Sequence, residues 1–352
     1  RSFTGKFIVK PADNSGSRGV CLLEHNNDLA AANQAFLYCK HFCHTGEMIV
    51  EEYMEGPEVS VETISVDGVC HVIQITDKLT TGAPYFVEMG HSQPCCLSEQ
   101  TKREIAKVAV EANKAIGIKN GPSHTEIKIT SNGAKIVEIG ARLGGDNITT
   151  HLVPLSTGVN MVECCIRIAI GENPDLSIKY DKGAAIRYFE SPKGVIRNII
   201  GIPDAEKIDG IQQISIVHGV GYTAHEIHNS VDRVGFVIAQ SDNAESAVKA
   251  CKKAVEFLQN NGYQVVGEAA DGLEAVMATP VVYDRTSPFN HLLHDLIGAF
   301  LEDGNSIVRL VACEDKEDTA FKYGYIGNDI EYHLYKRKSS RHANIISRYL
   351  RD

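Results

Sequence analysis

Residues 121–146 read GPSHTEIKITSNGAKIVEIGARLGGD. Within this stretch, 125–130 (TEIKIT) and 135–139 (KIVEI) alternate polar and apolar side chains, the period-two pattern of half-buried strands. Ser131-Asn132-Gly133 between them is hairpin chemistry, because Asn and Gly tolerate positive φ. Closing the hairpin brings Glu126 and Glu138 opposite one another on one face. Two carboxylates that close repel unless a cation separates them, and hard Mg²⁺ shared with phosphate oxygens is the usual remedy. Arg142, just beyond Glu138, adds a fixed-charge fork suited to phosphate or carboxylate. Gly140, Gly144 and Gly145 let backbone approach a ligand closely. Taken alone, the same residues also describe a surface hairpin with two solvated glutamates.

The chain has 352 residues, 43% apolar and 23% charged, which is a globular composition with length for two or three domains. A net charge of −10 argues against nucleic acid or an anionic membrane as the main partner. No stretch approaches the ~18 apolar residues of a membrane span. The opening RSFTGKFIVK has neither an initiating Met nor a signal-peptide core, and reads as the lip of a strand in an N-terminally truncated chain. Ten cysteines occur without Cys-x-x-Cys spacing, although Cys95-Cys96 and Cys164-Cys165 are adjacent and Cys39 and Cys43 have helical spacing. Buried, reduced thiols in a cytoplasmic protein are the expectation.

Upstream of the hairpin, residues 6–10 form a short strand ending at Lys10. Asp13-Asn14-Ser15-Gly16-Ser17-Arg18-Gly19 then loops back to a strand at 20–23. Such a loop can lay N–H groups of Ser15, Gly16 and Ser17 over phosphates with Lys10 as a point charge, or it can be a plain turn. It is not a Walker loop. Residues 28–44 carry a helical pattern with Leu29, Ala32, Ala35, Phe36 and Cys39 on one face. Strands follow at 48–54, 58–64 and 69–76, with Asp67-Gly68 as a hairpin turn. Residues 80–94 read as loop, and 99–116 as a helix with Ile105, Val108, Ala109, Ala112 and Ile116 inward and Gly117 as its stop. Beyond the hairpin, 148–154 reads as loop and 160–169 as a helix with Cys164, Cys165 and Ile168 inward. Strands at 184–190, 194–200, 211–217 and 235–239 precede a helix at 243–258.

Taken in order, these motifs resemble the ATP-grasp ligases, closest to the carboxylate–amine ligases that join amino acids. The resemblance covers about residues 1–260. It implies an α/β (α+β) ATP-grasp fold: an antiparallel-sheet nucleotide-binding domain over 1–182 and a small C-terminal subdomain over 183–262. It also implies Mg²⁺ (or Mn²⁺) on Glu126 and Glu138, Lys10 as the second nucleotide lysine, and Ser15, Gly16 and Ser17 over the phosphates. Glu51, Glu52, Tyr53 and Met54 become the adenine hinge, and Glu58 the ribose carboxylate. Glu88 and His91, three residues apart, would line the acceptor pocket with Gly145, and Arg142 would serve transferring phosphate and substrate. The resemblance allows a homodimer. It stops at Tyr263. Residues 263–352 read as an appended Rossmann-like α/β segment of unassigned role, with helices at 267–277 and 291–301, strands at 280–283 and 307–312, and a basic end (Lys336-Arg337-Lys338, Arg341) that reads as a solvated face.

Two functions follow. One is an ATP-dependent ligase joining a small-molecule carboxylate and amine, of amino-acid class, through an acylphosphate. The other is a truncated or fused chain that binds nucleotide without turnover. A glycosyl-transfer reading rests only on the tail and ranks last.

Overall fold

The 121–146 hairpin forms, and Glu126 stands in register with Glu138 across it. Gly133 (φ +92°), rather than Asn132, carries the positive φ of its turn. This computed structural model describes residues 5–25, 28–189 and 193–261, and the backbone of strands at 263–266, 281–282, 296–302, 307–312, 320–321 and 331–336.

In chain order the elements begin with β1 (Phe7–Pro11), β2 (Cys21–Leu23), α1 (Leu29–Phe42) and β3 (Met48–Glu52). Next come β4 (Glu58–Val66), β5 (Val69–Thr80), β6 (Glu88–Gln93), α2 (Glu99–Ile116), β7 (Gly121–Thr130) and β8 (Gly133–Gly140). A π-type turn (Ile148–Leu152) then leads to α3 (Val153–Thr157), α4 (Met161–Ala169), β9 (Gly183–Phe189), β10 (Gly194–Ile199), α5 (Ile202–Ala205) and β11 (Ile211–Ile216). The series closes with β12 (Thr223–Ala224), β13 (Gly235–Ser241), α6 (Ala244–Asn261) and β14 (Tyr263–Val266).

The chain divides into two compact units. The first spans Arg1–Glu190, Ile200–His218 and Glu226–Gly262. Its main element is an eight-stranded sheet in the order β11-β13-β9-β6-β5-β4-β7-β8, antiparallel throughout. Three strands from residues 183–262, β9, β11 and β13, thus extend the same sheet as β4–β8. A smaller sheet, β2-β1-β3, carries α1.

Alternation along the strands sorts the main sheet into two faces. Val59, Val61, Ile127 and Ile129 pack on Ile105 and Ala109 of α2. Glu58, Ser60 and Glu62 of β4 and His124, Glu126 and Lys128 of β7 therefore share the opposite face. Further along that face Ile64 meets Leu152, Met161, Ile186 and Ile238 in a second core.

Ser98 caps α2 by accepting from the Thr101 N–H, and Gly117 ends it at φ +79°. Asp67 and Gly68 both take positive φ, as a type I′ hairpin demands. Four expectations need correction. In α1 only Ala35 and Cys39 are buried, while Leu29 is 79% exposed, because a three-stranded sheet offers the helix a narrow contact stripe. At the end of α2, Ile116 is exposed. Residues 148–154 are helical rather than loop, with the Leu152 N–H donating to the Asn147 carbonyl. Finally, β5 runs on to Thr80 and 88–93 is a strand, because Asp77–Thr80 finds its ladder partner there.

The second unit comprises Ser191–Ile199, Gly219–His225 and Tyr263–Asp352. It holds a three-stranded sheet, β12-β10-β14. A helix was expected over 291–301, but Leu296–Glu302 is a strand paired antiparallel with Ile307–Ala312, which pairs parallel with Glu331–Lys336 on its other side. Its short apolar run, LIGAFL, does not distinguish helix from buried strand by periodicity. The helix expected at 267–277 and the end beyond Lys336 lie outside the described residues. The described cysteines are all free thiols, and burial pushes Cys39, Cys95 and Cys251 up to about 12. Among the described residues no single helix is long and apolar enough to cross a membrane.

Candidate nucleotide and metal site

A cavity of about 400 Å³ opens on the polar face of the main sheet, within the first unit. The sequence-predicted Lys10, Ser15, Gly16, Ser17, Glu51, Glu52, Tyr53, Met54, Glu58, Glu88, Glu126, Glu138, Arg142 and Gly145 all line it. The exception is His91, whose side chain is fully buried behind the wall, with Nε2 3.4 Å from Asp146 Oδ2 and 3.8 Å from Glu88 Oε2. Glu88 and His91 share a face of β6 despite their odd spacing, because a bulge lets Thr80 pair with Glu88 while Lys78 pairs with His91, and His91 is the one covered over.

Reasoning from sequence missed the cation at the centre. Lys78 on β5, its side chain 2% exposed, reaches Glu58 (2.8 Å), Glu88 (2.5 Å) and Glu126 (2.8 Å). Burial alone would lower its pKa, but the charges of Glu126, Glu88 and Glu58 outweigh it and hold Lys78 well above the ordinary lysine value. Burial would likewise raise Glu126, yet Lys78 and His124 keep its carboxyl well below the usual range. Glu138 has no such guard. Burial and the charge of Glu126 raise it, against weaker relief from Lys10 and Arg142. Lys10 sits 2.8 Å from Glu51 and 3.8 Å from Glu138. Arg142 donates to its neighbour's carbonyl, Leu143 O (3.0 Å), and has no carboxylate in ion-pair range among the described residues.

Behind Glu126, the His124 imidazole meets Glu62 Oε1 at 2.6 Å through Nδ1 and Glu126 Oε1 at 3.4 Å through Nε2. Burial would depress it, but the Glu62 charge and both hydrogen bonds lift it to about 10, so the ring is an imidazolium at neutral pH. Gly144 was expected to meet a ligand but lies against this pair. A Cβ there would come within 2.7 Å of Glu62 Oε2 and 2.8 Å of His124 Nδ1.

Next to Glu88, Arg233 forms a two-point pair with Asp146 (2.7 and 2.9 Å), donates to the Glu88 carbonyl, and stacks 3.7 Å above the Tyr188 ring. Burial opposes ionisation of Asp146, but hydrogen bonds from His91 and Arg233 carry its pKa well below the usual range. Asp146 holds φ +49°, an unusual backbone for a residue other than Gly. Over the cavity the 15–18 loop is tied down by Ser17 Oγ donating to Phe86 O (3.0 Å) and by the Ser230 N–H donating to Gly16 O (3.2 Å).

Comparison with known proteins follows the same division. Residues 3–150 match the ATP-grasp domain family, and residues 187–259 match L-amino acid ligase C-terminal domain 2. Uncharacterized protein y4rH of Sinorhizobium fredii is 29% identical over 253 residues, 71% of this chain and 52% of that protein. Alanine–anticapsin ligase of Bacillus subtilis is 29% identical over 190 residues, 48% of this chain and 40% of that protein. The chain thus spans about half the length of these curated relatives. The crystal structure of L-amino acid ligase from Bacillus licheniformis superposes with a TM-score of 0.63 at 21% identity, covering 76% of this chain and 65% of that one, which is a shared fold. Residues 3–150 are thus an ATP-grasp domain, followed over 187–259 by an L-amino acid ligase C-terminal domain, with the sheet, cavity and carboxylate pair arranged as described.

Proposed function

We propose that the chain is an ATP-dependent carboxylate–amine ligase acting on substrates of amino-acid class. The observation that carries this reading is the opposed pair Glu126 and Glu138, set in one cavity with Lys10 and the uncommitted Arg142 beneath the 15–18 loop. The donor set suits a hard divalent cation: two facing carboxylates, of which Glu138 is held above its ordinary pKa by burial and by the charge of Glu126. Glu126 and Glu138 would hold Mg²⁺, which when bound neutralises charge developing on transferring phosphate oxygens.

The chain's own residues supply the rest. Tyr53 and Met54 present hinge backbone to the base, and Glu58 faces the sugar. Lys10 and the 15–18 N–H groups hold phosphates. A substrate carboxylate oxygen attacks the γ-phosphorus, the bond to ADP breaks, and Arg142 grips the acylphosphate oxygens with two N–H groups. An amine then attacks the acyl carbon, phosphate leaves, and the nitrogen loses a proton to solvent. Glu88 and Asp146, already paired with Lys78 and Arg233, would offer acceptor oxygens to an ammonium group. The names of the relatives, an alanine–anticapsin ligase and an L-amino acid ligase, support amino-acid substrates.

The test is phosphate release from ATP across pairs of amino acids. Release with a pair and none without it is the expected result, while nucleotide binding with no release for any pair would leave a binding module. Glu138→Gln should weaken Mg²⁺-dependent ATP binding at least about tenfold, the scale lost when even an outer metal partner is removed. Calorimetry with and without Mg²⁺ checks this, and an unchanged affinity in Mg²⁺ removes Glu138 from the metal site. Arg142→Lys should cut kcat roughly 10²-fold with little change in the KM for ATP, since a point charge cannot replace a two-point fork in the transition state.

A further inference from the structure

A carboxylate that is to serve as a single-oxygen metal donor has to be stopped from turning about its last torsion, which is broad and two-fold for Glu. Glu126 is stopped in this way. Lys78 and His124 both contact Oε1, and Oε2 has no partner among the described residues. Lys78 is a flexible chain ending in a point charge. His124 is a rigid ring whose other nitrogen is locked 2.6 Å from Glu62 Oε1, and Glu62 is fully buried.

The lock is built from the sheet itself. Glu62 on β4 and His124 on β7 are directly paired in register. Gly144 closes on them from the other side, and its carbonyl accepts from Thr149 Oγ1 (2.8 Å), so the backbone that crowds the ring is itself fixed. A buried carboxylate–imidazole pair adds little to folding that apolar residues could not supply. Its position beside Glu126 in the cavity wall, which His124 also lines, accounts for its presence.

We infer that His124, held by Glu62, is a positioning residue that presents Glu126 Oε2 to the divalent cation, an inference that rests on the ligase reading of Glu126 given above. The chemistry is that of outer-shell partners, which orient ligating oxygens without touching the metal.

Mn²⁺ serves as the probe, read by its EPR signal in the presence of a non-hydrolysable ATP analogue, alongside metal-free nucleotide affinity and thermal melting. His124→Asn keeps a polar contact near the Nδ1 position and loses the one to Glu126. It should weaken Mn²⁺ binding about 10–100-fold while metal-free nucleotide affinity holds. The double variant Glu62→Gln/His124→Gln restores a donor near the Nε2 position without leaving a buried charge unpaired. It should recover most of the Mn²⁺ affinity. Equal Mn²⁺ affinity in wild type and His124→Asn would overturn the inference. So would loss of Mn²⁺ and metal-free nucleotide binding together in both variants, which marks a purely structural role. A wild-type protein that binds no Mn²⁺ with the nucleotide would instead overturn the metal reading of Glu126 and Glu138.

Discussion

Lys78→Met should lower the unfolding free energy by about 3–5 kcal/mol at neutral pH, the scale for removing one partner of a buried ion cluster. Methionine fills the lysine's volume, so the deficit measures charge rather than a cavity. Three carboxylates, Glu58, Glu88 and Glu126, lose their shared cation in a site where Lys78 is 2% exposed. They relieve their repulsion by taking up protons, so the deficit should shrink as pH falls through the carboxylate range. In the wild type the pKa of Lys78 is raised. Its contribution is therefore complete below the ordinary lysine value of about 10.4 and fades only as pH rises through the folded value. Millimolar Mg²⁺ should restore part of the loss in Lys78→Met. Denaturant melts across pH, with and without Mg²⁺, check all three points, and a loss under about 1 kcal/mol would mean that the carboxylates are solvated well enough to need no counter-ion.

Asp146→Asn should cost a similar amount, about 3–5 kcal/mol, because it strands Arg233 with only carbonyl acceptors. Asparagine is the informative replacement, since it keeps the shape and tolerates φ +49°. The folded pKa of Asp146 is depressed. Its contribution is therefore present in full above the ordinary aspartate value of about 3.9 and is lost as pH falls through the folded value. The gap between wild type and Asp146→Asn should be flat from about pH 5 to 8 and should close in stronger acid. A gap that widened on acidification would contradict the pairing.

The difference between what was legible and what was not follows from the range of the cue. Glu126 and Glu138 could be paired from sequence because a short turn fixes register and period two fixes the face. The α2 boundaries could be read from Ser98 and Gly117, both local signals. Lys78 carries no local signal. Nothing within a few residues marks it, and its role appears only once β5 is laid between β4 and β6, bringing carboxylates from 58, 88 and 126 to one point. Arg233 is the same case, meeting Asp146 across 87 residues. His124 stood inside the quoted hairpin, two positions before Glu126, and the same alternation places it on the Glu126 face. The signal was there, but its partner Glu62 is 62 residues away. The α1 face failed for a different reason. Helical periodicity shows that a stripe exists but not how wide a surface awaits it.

The central place of β6 has a consequence for synthesis. Its ladder partner β9 lies across a gap that contains α2, the β7–β8 hairpin and α4. A nascent chain can close β4, β5, β7 and β8 by neighbouring hairpin and crossover contacts, but β6 keeps one bare edge until Gly183–Phe189 has left the ribosome. That edge carries Met89, Gly90 and His91, which end up buried. An unpaired strand edge of this kind is a template for other chains. Stalling or truncation between the two strands should therefore send the product to aggregates and chaperones, whereas interruption after Ala244–Asn261 has emerged, when α6 can cover β9 and β13, should release a protected sheet.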